Sequence, residues 1–453
     1  MALFSTGSVN GSGGIGARLL AGVFVLEFSE DYSMKYLILG NGPAGVVAAE
    51  TLRRADQAGE IVMVGSEGLP PYSRMAIPYF LEGNIGEPGM YLRKTADHFA
   101  QLRITERNGR AVGLDTTARL VRYADGSSEA YDKLLIATGS RPVNPPIPGL
   151  DRPEVQNCWT MTDARAIAAL TKPGSRVLQL GAGFIGCIIM EALAARGVDL
   201  TIVEMGDRMV PRMMTEKAGG MIKKWVEQKG IRVRTSAGVK SIDDGGADAP
   251  LAVTLSTGEV LPCDVVIVAA GVAPNLDFLA GTPVAMGRGI RVDNGMRTSV
   301  EGVYAAGDVA EGCDFFTGEP LVSAIQPNAA DQARIAAVNM AGGDALLPGV
   351  LPVNVLATLG LISTSFGQWW GAEGGDGVEH VDEERSRYVS LQFKDDVLIG
   401  ATSVGMTQHV GVLRGLIQTR TPLGRWKDFL KEFPTRFPEA YLGCQQSASA
   451  HLA

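Results

Sequence analysis

The sequence predicts an α/β protein with two Rossmann-like dinucleotide-binding domains. Three observations point there. Two strand–glycine turn–helix–strand units stand 141 residues apart, each closing on an acid. A third signal is a short apolar strand that ends in Gly307-Asp308. At 453 residues the chain has room for about three domains.

In the first unit, the apolar residues 36–39 read as a buried parallel strand running into Gly40-Asn41-Gly42-Pro43-Ala44-Gly45. Residues 46–54 follow as a helix with Ala48, Ala49 and Leu52 inward. Strand, turn and helix N-terminus together make an anion site, with amides and dipole aimed at a pyrophosphate. The next strand, 61–64, precedes Glu67, which lies 27 residues beyond Gly40.

The second unit repeats this pattern. Residues 176–180 lead into Gly181-Ala182-Gly183-Phe184-Ile185-Gly186, then a helix over 187–196 and a strand over 199–203 that ends at Glu204. One G-x-G-x-x-G is a weak signal, but two complete units are a strong one. Gly11-Ser12-Gly13-Gly14-Ile15-Gly16 has the same spacing without a preceding strand, so it is set aside. Two dinucleotides are expected. A carboxylate at Glu204 accepts from both ribose hydroxyls and repels a 2′-phosphate, which favours NADH over NADPH.

Residues 1–33 are expected to be a leader or an upstream start-site extension without function. The stretch 19–26 is apolar, but one positive charge precedes it and Glu27-Phe28-Ser29-Glu30-Asp31 stands where a signal peptide needs small residues. Met34 opens directly into the first strand.

Composition excludes several function classes. Hydrophobic residues make up 46% and charged residues 20%, which suits a packed globular chain. Lys and Arg number 41 against 49 Asp and Glu, a net −8 that leaves no basic footprint for nucleic acid or anionic lipid. No apolar run approaches the roughly 18–20 residues of a membrane span. Cysteines 158, 187, 263, 313 and 444 form no CxxC, and the four histidines are dispersed, so neither a disulfide framework nor a metal site is expected. A reducing, cytoplasmic compartment fits.

Five motifs now stand in order: the two fingerprints, Lys133-Leu134-Leu135-Ile136-Ala137-Thr138-Gly139-Ser140-Arg141-Pro142, Val268-Ala269-Ala270-Gly271-Val272-Ala273-Pro274-Asn275 and Tyr304-Ala305-Ala306-Gly307-Asp308. In order and spacing the stretch 34–345 resembles the pyridine-nucleotide flavoprotein oxidoreductases, the glutathione-reductase-like superfamily. The resemblance implies a discontinuous FAD domain (34–155 and 283–349), an NAD(P)H domain inserted at 156–282, and a C-terminal α+β interface domain at 350–453. It implies that Gly40, Gly42, Pro43, Ala44 and Gly45 meet the FAD pyrophosphate and Glu67 its adenosine ribose. Val112, Ala137, Thr138, Gly139, Gly307, Asp308 and Ala329 join the FAD set, Asp308 holding the ribityl chain. Gly181, Gly183, Phe184, Ile185, Gly186, Glu204 and Gly271 would hold NAD(H).

The chain departs from its thiol-using relatives. No cysteine lies between Val46 and Asn157, so the thiolate that disulfide exchange requires is missing from Pro71-Tyr72-Ser73-Arg74-Met75-Ala76-Ile77-Pro78-Tyr79. Cys187 reads as an inert core thiol. Ile188 stands where many relatives carry a Glu near the nicotinamide. Tyr72-Ser73-Arg74 is similar to nitrite-reductase flavin domains and ferredoxin- or rubredoxin-type reductases. Arg74 reads either as a cation beside the flavin or as a solvated loop residue. Asp314-Phe315-Phe316-Thr317-Gly318 is similar to flavin subunits of anaerobic oxidoreductase complexes.

Beyond 349, strands at 388–393 and 397–402 and a helix at 410–418 are expected, with Trp369, Trp370 and Trp426 serving either as interface anchors or as core. In the family this region dimerises or docks a partner. The resemblance thus implies an FAD-containing NADH:acceptor oxidoreductase whose electrons leave to an iron–sulphur protein or subunit. The first form of this is the NADH-reactive subunit of a multi-subunit aldehyde or 2-oxoacid oxidoreductase. The second is a stand-alone ferredoxin or rubredoxin reductase, and a third reading is a redox-sensing interaction protein.

Overall fold

A computed structural model describes the backbone at 16–20, 23–27 and 33–450 and the side chains of 33–446. Gly16–Leu20 and Val23–Glu27 pair as antiparallel strands, so most of the apolar stretch weighed as a signal peptide stands in these two strands. Apart from Ser33, the remainder of the expected leader, including most of the glycine match at 11–16, lies outside the described residues.

The first unit is built on β1 (Lys35–Leu39), α1 (Pro43–Ala55), β2 (Glu60–Gly65), β3 (Ile104–Asn108) and β4 (Lys133–Ile136). These strands are all parallel, β1 lying between β4 and β2, and a fifth, Val303–Ala305, arrives from far downstream to pair with β4. Leu37, Ile38, Leu134 and Leu135 are fully buried, as continuous apolar runs in parallel strands should be. Helix α1 opens with Pro43 at its first turn and ends on Arg53 and Arg54.

The second unit contains β5 (Val155–Asn157), α2 (Met161–Leu170), β6 (Arg176–Leu180), α3 (Phe184–Ala195), β7 (Asp199–Val203), α4 (Glu216–Gln228), β8 (Arg232–Arg234) and β9 (Val265–Val268). Its sheet is also parallel, in the order β5-β9-β6-β7-β8. The chain enters and leaves it through an antiparallel ribbon in which Ser140–Pro142 pairs with Val272–Pro274.

Packing does not follow the expected sequence boundaries residue by residue. Phe278 and Leu279 lie before 283 but pack into the core of the first unit. Tyr72, Ile77, Leu81 and Met90 lie far before 156 but pack into the core of the second. The two units therefore interlock. Strand β10 (Val303–Ala305) and α5 (Gln326–Met340) complete the first unit, α5 lying against α1.

The C-terminal region is an antiparallel sheet of β11 (Val353–Thr358), β12 (Leu361–Gly367), β13 (Asp376–Asp382), β14 (Arg387–Lys394) and β15 (Val397–Val404), in the order β11-β12-β15-β14-β13. One face packs against α6 (Val410–Gln418), α7 (Arg425–Glu432) and α8 (Phe437–Ala450), burying Val389, Leu391 and Phe393 with Leu413 and Leu430. The other face brings Leu356, Leu361, Tyr388 and Val404 onto the second unit. The buried Tyr388 hydroxyl accepts from Thr215 Oγ1 at 2.9 Å and donates to Glu379 at 3.1 Å. Trp426 packs in this core beside Phe429, whereas Trp370 is 60% exposed and edge-on to Trp369.

One buried cation ties α1 to the strands around it. Arg53 is 5% exposed and donates to five carbonyls, those of Asp56, Gln57, Gly59, Leu102 and Arg103, at 2.8–3.1 Å. Losing the guanidinium leaves these acceptors unpaired in a closed space. Arg53→Met should lower the thermal unfolding midpoint of the purified protein by roughly 5–10 °C. A shift under about 1 °C by calorimetry would show that the clamp contributes little.

Candidate functional site

The first glycine turn is fixed by backbone contact. Gly40 has φ +116°, and a Cβ there would lie 2.0 Å from the Ala137 carbonyl oxygen. A Cβ on Gly45 would lie 1.8 Å from the Gly40 carbonyl. At Gly42, by contrast, a Cβ would meet nothing within 4 Å. The turn is thus closed behind and open in front, and the first amides of α1 have no partner within the helix. This is the cradle an anionic diphosphate requires.

In front of it lies a cavity of about 540 Å³. Gly40, Gly42, Pro43 and Ala44 line one end, and Ala137, Thr138 and Gly139 line the crossover from β4. Gly307, Asp308 and Ala329 close another wall. Gly45 lies behind the turn, outside the lining. Val112 also lies outside it. Its side chain is 51% exposed while its neighbour Ala111 lines the cavity, because successive side chains on a strand point to opposite faces.

Asp308 is half-buried, and burial raises its pKa. Ser140 Oγ donates to Asp308 Oδ2 at 2.7 Å. Among the described residues nothing donates to Oδ1, so one oxygen remains free for a hydroxyl such as those of a ribityl chain. An unpaired acceptor on a half-buried acid and an open glycine cradle are both features that fit a flavin dinucleotide.

Arg74 lines the same cavity, with its side chain 35% exposed. It pairs with Glu67 Oε1 at 2.8 Å, reaches the Ser140 carbonyl at 3.3 Å, and lies 5.0 Å from the Trp159 ring centroid. Glu67 accepts at its other oxygen from the Tyr72 hydroxyl at 2.6 Å. Burial, with Glu67 beside it, pushes the Tyr72 phenol up to about 12. Glu67 therefore meets the cavity with both oxygens already engaged, two residues past the last residue of β2.

Sequence reasoning did not select Trp159, although a local signal existed. Thr160 and Asp163 form a capping box at the start of α2, and Asp163 also accepts from the Trp159 amide at 3.0 Å. That box fixes the indole, whose Nε1 donates to the Ser140 carbonyl at 2.8 Å.

The second turn has the same geometry. Gly181 has φ +104°, with a Cβ position 2.4 Å from the Ala269 carbonyl, and Gly183 opens onto free space. Glu204 accepts from the Ala182 amide and from the Gly206 amide, each at 2.7 Å. Gly181, Gly183, Gly186, Glu204 and Gly271 lie outside the lining of the first cavity. The Gly271 carbonyl accepts from Val143 N at 2.9 Å and so joins the ribbon between the units. Phe184, Ile185, Ile188 and Ile189 do line that cavity. The N-terminal end of α3 thus carries the second turn to the wall of the first site, with an apolar Ile188 there in place of a carboxylate.

All five cysteines are free thiols. Cys158 lines the cavity, which sequence reasoning did not foresee, but burial pushes its thiol up to about 12. Cys187 is fully buried and likewise pushed up to about 12. Both are protonated near neutral pH.

The family model for pyridine nucleotide-disulphide oxidoreductases matches residues 34–342. The epsilon subunit of NADH-dependent phenylglyoxylate dehydrogenase from Aromatoleum evansii is 34% identical over 393 residues, covering 86% of this chain and 92% of that one. Rhodocoxin reductase from Rhodococcus erythropolis is 34% identical over 314 residues, 68% of this chain and 72% of that one. The structure of NADH:rubredoxin oxidoreductase from Clostridium acetobutylicum superposes with a TM-score of 0.72 at 26% identity, covering 85% of this chain and 95% of that one. The chain belongs to the pyridine nucleotide-disulphide oxidoreductase family and is an oxidoreductase that uses FAD and NAD(H).

Proposed function

We propose that the protein takes electrons from NADH and delivers them to an iron–sulphur centre on another polypeptide, as the NADH-reactive flavin subunit of a multi-subunit aldehyde or 2-oxoacid oxidoreductase. The observation that carries this is that α3, the helix that follows the second turn, lines the cavity in front of the first turn with Phe184, Ile185, Ile188 and Ile189. The kinship with a dehydrogenase epsilon subunit across 92% of its length supports the subunit form. Kinship with rhodocoxin reductase supports a stand-alone ferredoxin or rubredoxin reductase as the second reading.

When bound, FAD supplies the exchange between a two-electron hydride donor and one-electron carriers. The chain's residues bind, orient and shield. The first turn's amides would hold the diphosphate and Asp308, steadied by Ser140, the ribityl hydroxyls. Arg74 would place its positive charge beside the ring system, held there by Glu67 and the Trp159 face. Phe184, Ile188 and Ile189 would keep water from the meeting point of the two dinucleotides. Glu204 would accept from the adenosine ribose of NADH. The C-terminal region would mediate a homodimer or dock the partner, with the exposed Trp370 as an anchor. Five free thiols suit a reducing compartment such as the cytoplasm.

Purification from the native host tests the outlet. An iron–sulphur subunit recovered in equal amount supports the complex, and isolation alone with fast NADH-driven reduction of a ferredoxin supports the second reading. NADH:viologen turnover slower than about 0.1 per second, well below the usual enzyme range, would instead favour a redox-sensing interaction protein.

Activity should not depend on a thiol. Cys158→Ala, the variant at the one cysteine lining the cavity, should keep NADH:viologen turnover within about threefold, because a protonated thiol is no nucleophile. Abolished turnover in FAD-loaded variant protein would restore a thiol mechanism.

NADH should be preferred to NADPH by at least about tenfold in kcat/KM, near 1.4 kcal/mol per decade. Glu204 puts a carboxylate at the ribose, and the nearest following cation is unavailable. Arg208 donates to the Met214 and Pro211 carbonyls at 3.0 and 3.3 Å and pairs with Asp207 at 2.8 Å. Steady-state kinetics with both nucleotides on the wild type and on Glu204→Ala decide this. Equal use of NADPH by the wild type would refute the preference, and an unchanged ratio in the variant would remove Glu204 as its cause.

A further inference from the structure

The chain contains the same supersecondary unit twice, and one of the buried positions at which the two copies differ lies beneath the turn. Two residues before the first glycine of its turn, the first unit has Ile38 and the second has Gln179. Both side chains are fully buried, and both sit beneath the last glycine of their turn. A Cβ on Gly45 would meet Ile38 Cγ2 at 3.4 Å, and a Cβ on Gly186 would meet Gln179 Nε2 at 3.0 Å.

Gln179 Nε2 donates to two carbonyls of the turn, Gly181 at 2.8 Å and Gly186 at 2.9 Å. The amide orientation follows from these partners, since the opposite one would set an oxygen against two oxygens. Its own Oε1 is then buried without a partner. A buried unpaired acceptor is unfavourable, and the neighbouring Val177, Leu178 and Leu180 are all apolar. An aliphatic side chain, as in the first unit, avoids that penalty.

Three side-chain and backbone groups together occupy backbone polar atoms of the second turn. Gln179 takes the Gly181 and Gly186 carbonyls, Glu204 takes the Ala182 amide, and Val210 N donates to the Ala182 carbonyl at 2.8 Å. Among the described residues no side chain donates to the Gly40 or Gly45 carbonyl in the first turn.

We propose that Gln179 is a positioning residue that holds the empty nicotinamide-dinucleotide turn in its binding conformation. FAD is a resident cofactor that can shape its own turn once, whereas NAD(H) enters and leaves in every turnover. A turn that relaxes between turnovers reduces affinity by the fraction of time it is out of shape. The clamp acts on binding and not on the chemical step.

The inference rests on the second turn being the nicotinamide site. Gln179→Met keeps side-chain length and removes the donor. The test uses FAD-loaded protein, with NAD⁺ binding by isothermal titration calorimetry, flavin content by absorbance, and steady-state NADH:viologen kinetics. The expected result is a rise of about tenfold in the Kd for NAD⁺ and the KM for NADH. The flavin content should be unchanged and kcat within about twofold. If the Met variant does not load FAD, Gln179→Leu takes its place. A Kd within threefold of wild type, or a kcat that falls as far as affinity does, would overturn the clamp while leaving the site assignment intact. A wild type that does not bind NAD⁺ would overturn both.

Discussion

Both glycine turns depend on one constraint: two backbones approach so closely that no side chain fits between them. The Gly40 turn lies against the carbonyl of Ala137, and the Gly181 turn lies against that of Ala269. In each case the first strand of the unit meets the end of the strand that returns the chain to the sheet. That contact fixes where the helix begins and which way its free amides point. It also opens a crevice at the carboxyl ends of the strands, where an open α/β sheet binds its ligand. The crossover residues Thr138 and Gly139 reach the first cavity because the same contact brings their strand there.

The glycine pattern that permits this approach is local in sequence, although the carbonyls it meets, those of Ala137 and Ala269, are not, which explains what was legible. Glycines at fixed spacing after an apolar run leave few alternatives, so both turns, both parallel sheets and the helix at 410–418 could be read from the chain. The cavity walls could not. Tyr72 and Met161 are 89 positions apart, yet the Met161 amide donates to the Tyr72 hydroxyl at 3.2 Å. No periodicity records such a pairing. That Ala111 lines the cavity while the Val112 side chain points outward depends on which face of a short strand is inward, a matter of one residue of register. The unit edges were blurred for a related reason. Phe278 and the segment around Ile77–Leu81 pack across the boundaries at which the chain itself crosses over.

The polar groups of the cavity act as one network. Arg74 joins Glu67, Ser140 and Trp159, and Ser140 in turn holds Asp308. Glu67 holds Tyr72, which reaches the first amide of α2. Removing Arg74 would leave Glu67 with one partner and the indole without its cation. Charge in this site is therefore shared over both units, and a change at any member alters the field felt by the others.

That network also sets how the two units stand relative to each other. Glu67, Tyr72, Arg74 and Ser140 come from the first unit, while Trp159, Met161 and the capping box at Asp163 come from the second. Further along α2, Arg165 pairs with Glu87 at 2.6 Å, and Arg196 at the end of α3 donates to the Leu81 carbonyl at 2.8 Å. Hydride transfer needs its two dinucleotides in contact at reacting distance, and an error of about 1 Å is costly. An apolar face alone tolerates sliding, because the hydrophobic effect has no direction. Directional bonds from the rim of the first site to the start of α2 in the second unit do not. The residues that line the cavity thus also fix how the first turn stands relative to the second unit, and would so set the distance between dinucleotides held at the two turns.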